Sequence, residues 1–378
     1  MAGLPASILR PAVQTAYYVS GLTFFKAWRH QMQALYGRPV FVVEGDTFFW
    51  EDVVLDAIRR GKWAQLEQEA REGFAALEEF DSAEDDEFDV AVDEGAQEFR
   101  YNRELVTAQE MEHWLAAREV SIREWMEHIR RSVARARTTE GLAALVARHP
   151  VDQDQLAEAL RVDLICSGAG EELAVELARR AAAAAAAASS ATSDPSEPPS
   201  ESGRAPTRLP PGLSVELAQE RIHLLVRIEE GAEQFRRNSI TPEAIRREIG
   251  HHHSEWIRVD SRAIAFEDEA GAREAAMCMK EDGLPLDEVA AAAHATVAES
   301  RFYLDDLDPE VRPIFMAARP VDVLGPILFE GAHTLFRVVD KVMPSEQDPE
   351  ILRRAEAGVA ARIMAAQAQQ RVQWQVPW

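Results

Sequence analysis

The sequence predicts an α+β protein: a mostly helical N-terminal domain and a small C-terminal domain in which a small antiparallel sheet is covered by helices. Three observations carry the prediction. Up to Ala186, apolar residues recur at spacings of three and four, with helix caps between them. Residues 187–211 are rich in Ala, Ser, Pro and Glu and poor in large apolar side chains, which marks a flexible linker. Beyond Trp256, short apolar runs close on a Glu330-Gly331 corner, a hairpin signal. The expected organisation is a helical domain over 1–186, the linker over 187–211, linking helices over 212–256, the sheet domain over 257–344, and a C-terminal helix and tail over 345–378.

Composition narrows the partners. Apolar residues make up 47% of the chain, enough to build cores. Asp and Glu number 65 against 41 Lys and Arg, a net charge of −24. That balance argues against nucleic acid and anionic membranes, whose phosphates call for a basic footprint. It suits contact with basic peptides. The two cysteines, Cys166 and Cys278, form no Cys-x-x-Cys pair, which argues against a disulfide framework or a zinc site; both are expected in the core. Lys26, Arg29 and His30 follow the first apolar run, the reverse of signal-peptide polarity. No run is long enough to span a bilayer, so the expected location is the cytoplasm.

Each element has a local reason. Ala12–Leu35 reads as an amphipathic helix with Tyr17, Tyr18, Leu22, Phe25, Trp28 and Met32 along one face. Val40–Val43 reads as a strand, Glu44–Thr47 as a turn, and Glu51–Glu79 as one long helix. The acidic stretch Glu78–Glu94 reads as a solvated loop. Thr107 with Glu110, and Ser121 with Glu124, are capping boxes that each open a helix. Weaker helices cover Gly141–Arg148 and Gln153–Ile165. Another starts at Glu171 and runs into eight alanines, Ala181–Ala188. These read as a fraying end, since alanine favours helix but offers nothing large to anchor a core.

Past the linker, Ser214–Phe235 is amphipathic, and Thr241-Pro242 supplies a cap and a first-turn proline. Ile257–Phe266 reads as a strand, Ala270–Glu281 and Leu286–Ala293 as helices, and Val297–Leu304 as a loop. Asp308-Pro309 and Asp348-Pro349 each start a helix, the latter running to about Arg371. Trp374–Trp378 reads as a loose tail.

In this order, Ser239–Lys341 resembles the parvulin-type peptidyl-prolyl isomerases. Ile240–Ile245 is similar to the helix preceding the parvulin domain in multidomain chaperone members, and Val259–Phe266 to the first strand. Glu269–Ala275 and Asp282–Ala290 resemble the two following helices. Pro309–Val311 with Ile314–Ala317 resembles the helix before the hairpin, and Val323–Ile327 with His333–Val338 the closing strands. The first half resembles, more loosely, the helical arms that flank such domains. The architecture is also similar to that of bacterial peptide-maturation-system proteins with a parvulin-related region. Three departures stand out. Arg262-Ala263-Ile264-Ala265 stands where the family has a histidine in an Arg-His-Ile-Leu segment. Val321 replaces the glycine expected after Arg319-Pro320, and Val297–Leu304 replaces a Gly-rich loop. The second family histidine is matched by His333.

The resemblance implies chemistry on a proline amide. That bond's rotational barrier is about 18–20 kcal/mol, and no covalent bond is made or broken. A catalyst needs an apolar pocket for the ring and polar groups favouring the twisted amide. Phe302, Tyr303, Phe315, Met316 and Phe336 are assigned to a substrate-binding wall, with His333 beneath as the catalytic candidate. Ordinary core packing is the alternative for each aromatic, and a satisfied core imidazole for His333. His251-His252-His253 is expected as an exposed helix end, because consecutive helical residues point about 100° apart. No cofactor and no metal are expected. The functional expectation is a peptide-binding chaperone or escort, weakly catalytic or not at all, whose partner is an unfolded or precursor peptide containing proline. An active isomerase and a structural protein reusing the fold are the alternatives, and the oligomeric state is open.

Overall fold

Among the described residues, two Glu-Gly corners each close a hairpin. Glu44 and Gly45 have φ of 51° and 94°, and Glu330 and Gly331 have φ of 49° and 82°. Positive φ at both central residues is what a two-residue hairpin turn requires. In the computed structural model, residues 35–81, 86–139, 141–190 and 215–376 are described. The expected N-terminal helix up to residue 34, and the expected linker from residue 191, lie outside them. The protein is mixed helix and sheet, with two small antiparallel sheets. It divides into two units, Met1–Arg236 with Met364–Trp378, and Arg237–Ile363.

The first unit contains a hairpin, β1 (Pro39–Val43) and β2 (Asp46–Phe49). The segment expected as a loose tail pairs with it: β7 (Val372–Trp374) lies antiparallel to β1, with Phe41 opposite Trp374. Those rings meet edge to face at 5.6 Å, which gives the tail an apolar anchor. The helix expected over 51–79 is two, α1 (Trp50–Arg59) and α2 (Lys62–Asp81). Gly61, at φ 75°, ends the first, a conformation with little cost only for glycine. The acidic stretch is not all loop: α3 (Asp86–Asn102) begins inside it. Phe88, Val92 and Phe99 are buried, and this helical spacing outweighs the acids between them. Both predicted capping boxes open helices, α4 (Ala108–Ala117) and α5 (Ile122–Arg137). Further on come α6 (Leu142–Arg148), α7 (Gln153–Cys166), α8 (Ala169–Ser190) and α9 (Val215–Ser239).

The alanine run is corrected by burial. Ala178, Ala181, Ala182 and Ala183 are almost wholly buried in α8. A Cβ added to Gly231 of α9 would stand 2.8 Å from the Ala184 Cβ. The run therefore lets two backbones approach closely; small side chains are its contribution to the core. Charge fixes the same helices. Asp52 and Asp56, one turn apart on α1, are 0% and 2% exposed. Arg180 of α8 donates to both Asp56 oxygens, at 2.9 and 2.5 Å, and to Glu229 at 3.1 Å. Arg221 of α9 grips Asp52 through Nε and Nη2.

Removing one member of such a pair strands a buried charge, so Asp56→Ala is expected to lower unfolding free energy by about 3–5 kcal/mol. Asp56→Leu combined with Arg180→Met is expected to lower it by less. Denaturant unfolding of both variants checks this; equal losses would contradict the buried-pair account.

The second unit is a four-stranded antiparallel sheet, ordered β4-β3-β6-β5. Its strands are β3 (Arg258–Phe266), β4 (Val297–Tyr303), β5 (Val323–Phe329) and β6 (Ala332–Val342). The segment 297–304, expected as a loop, is thus mainly an edge strand, in register with β3 from Ile264↔Val297 to Arg258↔Tyr303. Its helices are α10 (Pro242–His251), α11 (Glu269–Lys280), α12 (Leu286–Ala292), α13 (Arg312–Ala317) and the part of α14 (Pro349–Arg371) up to Ile363. Thr241 caps α10 as predicted, its hydroxyl accepting from the Ala244 amide at 3.2 Å. Asp348 does the same for α14, accepting from the Glu350 amide at 3.0 Å. Helices α11 and α12 cover one sheet face, burying Ile264 and Leu335 with Met279, Leu286 and Val289. On the other face, Phe315 of α13 packs on Val259, Phe336 and Val338. Among the described residues no helix is long and apolar enough to cross a membrane.

Val321 has φ 81°, a left-handed conformation that is unfavourable for a β-branched residue. Its amide donates to the Val338 carbonyl at 2.8 Å, and the Val338 amide to the Asp322 carbonyl at 3.0 Å, which holds it there. The side chain is 63% exposed, so its loss removes little packing. Val321→Gly is expected to stabilise the protein by up to about 1 kcal/mol, as relief of left-handed strain exceeds glycine's entropic cost. A thermal melt checks the sign; a lower melting temperature would refute it.

Candidate functional site

Side chains alternate across a strand, so β3 and β6 each present one set of residues to α11 and α12 and another to the opposite face. The opposite set is small at one end of the sheet. Ala263 stands across from Ala298 on one side and Phe336 on the other, and Ala265 across from Thr334. With α13 packed further along, these short side chains leave an open cleft of about 550 Å³. Ala263, Ala265, Ala298, Ser300 and Thr334 line its floor. Its back wall is Phe302, Phe329 and Phe336, backed by the buried Phe315, which lies outside the lining; together they form an edge-to-face cluster. Phe302 meets Phe315 at 5.0 Å, Phe315 meets Phe336 at 5.1 Å, and Phe329 meets Phe336 at 5.3 Å. Such pairs add about 0.5–1.5 kcal/mol each beyond their buried area, which stabilises the wall. The rim is charged: Glu299, Asp306 and Glu330, with Arg301 held by Asp260 at 3.0 Å.

The cleft's lining residues include hydroxyls and carboxylates but no imidazole, thiol or amine. The lining also carries the Arg301 guanidinium, so the cleft is an apolar floor and wall with a rim of mixed charge in which carboxylates outnumber the cation. Among the described residues, no group of three His, Cys, Asp or Glu side chains is placed to hold a metal ion. His252 is engaged otherwise, stacked on Trp256 at 4.6 Å and bonded to Glu255 at 2.6 Å.

The structure brings three of the predicted wall residues together, Phe302, Phe315 and Phe336. Tyr303 is turned away from them. Its hydroxyl donates to Asp348 at 3.2 Å and Arg354 lies 4.3 Å over its ring. Burial, with the Asp348 carboxylate beside it, raises the phenol's pKa. Met316 is 45% exposed and lies outside the cleft lining; its carbonyl accepts from Lys341 Nζ at 2.9 Å. His333 is not beneath the wall. It pairs with Phe266 and Leu328 in the sheet, and the period of two puts it on the same face as Leu335, opposite Phe336. Thr334 takes the place in the cleft. Sequence reasoning missed Thr334, Phe329 and the alanine floor. The signal was the period of two along β6, which puts Thr334 in phase with Phe336 and Val338, and His333 in phase with Leu335.

Phe336 is 0% exposed, so Phe336→Ala is expected to cost about 3–5 kcal/mol of stability. His333→Ala is expected to cost under about 1 kcal/mol, as for a partly exposed side chain. Denaturant unfolding separates the two; comparable losses would place His333 in the core after all.

Compared with protein-family models and with curated proteins, the sequence returns no match.

Proposed function

We propose that the unit Arg237–Ile363 is a parvulin-like domain that binds extended, proline-containing peptide, and that the protein acts in the cytoplasm as a chaperone or escort of an unfolded or precursor peptide. The observation that carries this reading is the open cleft: a floor of Ala263, Ala265 and Ala298 beneath an aromatic wall, sized for an apolar ring. The element order supports it: strand, two helices, strand, short helix, closing hairpin. The rim supports a client with basic residues beside the proline, since Glu299 and Glu330 flank the opening, while Asp306 is engaged by Arg354 and Arg301 by Asp260.

Binding is favoured over catalysis by the floor itself. Ala263 stands where the family resemblance expects a histidine, and His333 faces the other side of the sheet. Only groups that stabilise the twisted amide more than the planar one speed rotation. A cleft without imidazoles holds the proline while supplying little of that difference.

The test is a titration of the full chain with labelled peptides carrying Lys-Pro-Lys or Glu-Pro-Glu. Lys-Pro-Lys is expected to bind at least about tenfold more tightly, a difference of about 1.4 kcal/mol that shrinks with salt. Ala265→Leu with Ala298→Leu should fill the floor and abolish binding. Both positions are exposed, so stability should change by no more than about 0.5 kcal/mol. Absence of binding at high micromolar peptide would sink the reading. Acceleration of prolyl rotation that the same double substitution abolishes would make the protein an isomerase instead.

A further inference from the structure

The first unit holds a pocket of different chemistry. It encloses about 360 Å³ and is lined by Trp50, Trp114, Leu164 and Ile165, with Arg38, Arg103 and Arg118 among them. Three guanidiniums at one pocket contrast with a chain of net charge −24. Arg103 and Arg118 are placed by packing, and Arg38 by an ion pair at the surface. Arg103 lies 3.9 Å from the centre of the Phe99 ring and 5.8 Å from that of Trp114, and donates to the Cys166 carbonyl at 2.5 Å. Arg118 lies 4.3 Å over the same Trp114 ring and donates to the Trp114 carbonyl at 3.3 Å. Arg38 pairs with Glu119.

Two planar cations thus share one indole. Burial lowers the pKa of both, and Arg103 lowers that of Arg118 further. Glu171 is the single carboxylate among the lining residues, and it acts on both cations. Protonated forks held this way are pre-organised donors for a planar anion, which would relieve their mutual repulsion. The rest of the wall is apolar. A pocket of a few hundred Å³ with an apolar wall and a few convergent polar groups is the usual form of a small-ligand site.

We propose that this pocket binds a carboxylate carried on an apolar or aromatic body, the carboxylate between Arg103 and Arg118 and the body against Trp50, Leu164 and Ile165. A monoanion fits better than a phosphate dianion, because Glu171 stands on the same lining. The inference is independent of the peptide cleft, which lies in the other unit.

Calorimetry on the full chain tests it, with N-acetyl-phenylalanine, its uncharged amide, inorganic phosphate and a tetrapeptide ending in a free phenylalanine carboxylate as probes. The acid is expected to bind at least about tenfold more tightly than the amide, and Arg118→Gln to remove that preference while a cooperative thermal melt shows the variant still folded. Arg118→Lys should restore part of it. Arg103→Gln should act likewise, but it also releases the Cys166 carbonyl, so Arg118→Gln decides the matter if that variant unfolds. Tighter binding of the tetrapeptide identifies peptide C-termini as the source of the carboxylate; tighter binding of the acetylated amino acid identifies free acids. Equal binding of acid and amide, phosphate binding as tightly as the acid, or no saturable binding of either carboxylate overturns the proposal.

Discussion

Side-chain alternation along β3 and β6 is the constraint on which the second unit depends. A strand buried on one face assigns every second residue to that face, and a shift of one residue reverses the assignment. Here Ile264 and Leu335 lie under α11 and α12, while Val259, Ala263, Phe336 and Val338 form the other face. The aromatic wall, the small floor beside it and the exclusion of His333 from the cleft are all consequences of that one phase. The cleft exists because the residues on the open phase shrink from Phe336 to Ala263, Ala265 and Ala298 within a few positions.

Small residues act as placing devices in both units. In the second they leave room on a sheet. In the first, the alanine run of α8 lets the backbone approach Gly231 so closely that no additional Cβ fits without displacement. Interiors are packed densely enough that removing side-chain volume either opens a cavity or brings backbones together. Helices can translate toward one another and close the gap. A sheet held by its hydrogen-bond ladder cannot, so the same composition produces a close contact in one place and a cleft in the other.

Charge plays a corresponding part. An acidic chain can bury carboxylates only where arginines meet them. Asp52 and Asp56 are matched by Arg221 and Arg180. Asp163 is a further case: burial opposes its ionisation, but hydrogen bonds from His128 and Arg131, each at 2.7 Å, hold its carboxyl below the usual range. Nearby, burial pushes the Cys166 thiol up to about 12, in keeping with an inert core cysteine. These groups account for much of the buried polarity of the first unit. The arginines around Trp114 differ in facing a cavity rather than only a carboxylate.

Much of this was legible in the sequence where the signal is local. The capping boxes at Thr107 and Ser121, the proline starts at Pro242 and Pro349, and both Glu-Gly corners act within four residues, so their chemistry was enough to place them. The strand at 297–303 depends on a distant partner, β3, whereas the stop at Gly61 and the helix beginning inside the acidic stretch rest on local signals, a left-handed glycine and the apolar spacing of Phe88, Val92 and Phe99, which helix propensity and charge outweighed in the sequence reading. The candidate site divides the same way. Its aromatic residues could be named from the sequence, since large apolar side chains near a hairpin pack together in almost any arrangement. Which of them share a face, that Thr334 rather than His333 meets the cleft, and that Arg103 and Arg118 converge on one indole were decided by strand register and helix packing. Those are long-range pairings, and no short stretch of the chain encodes them.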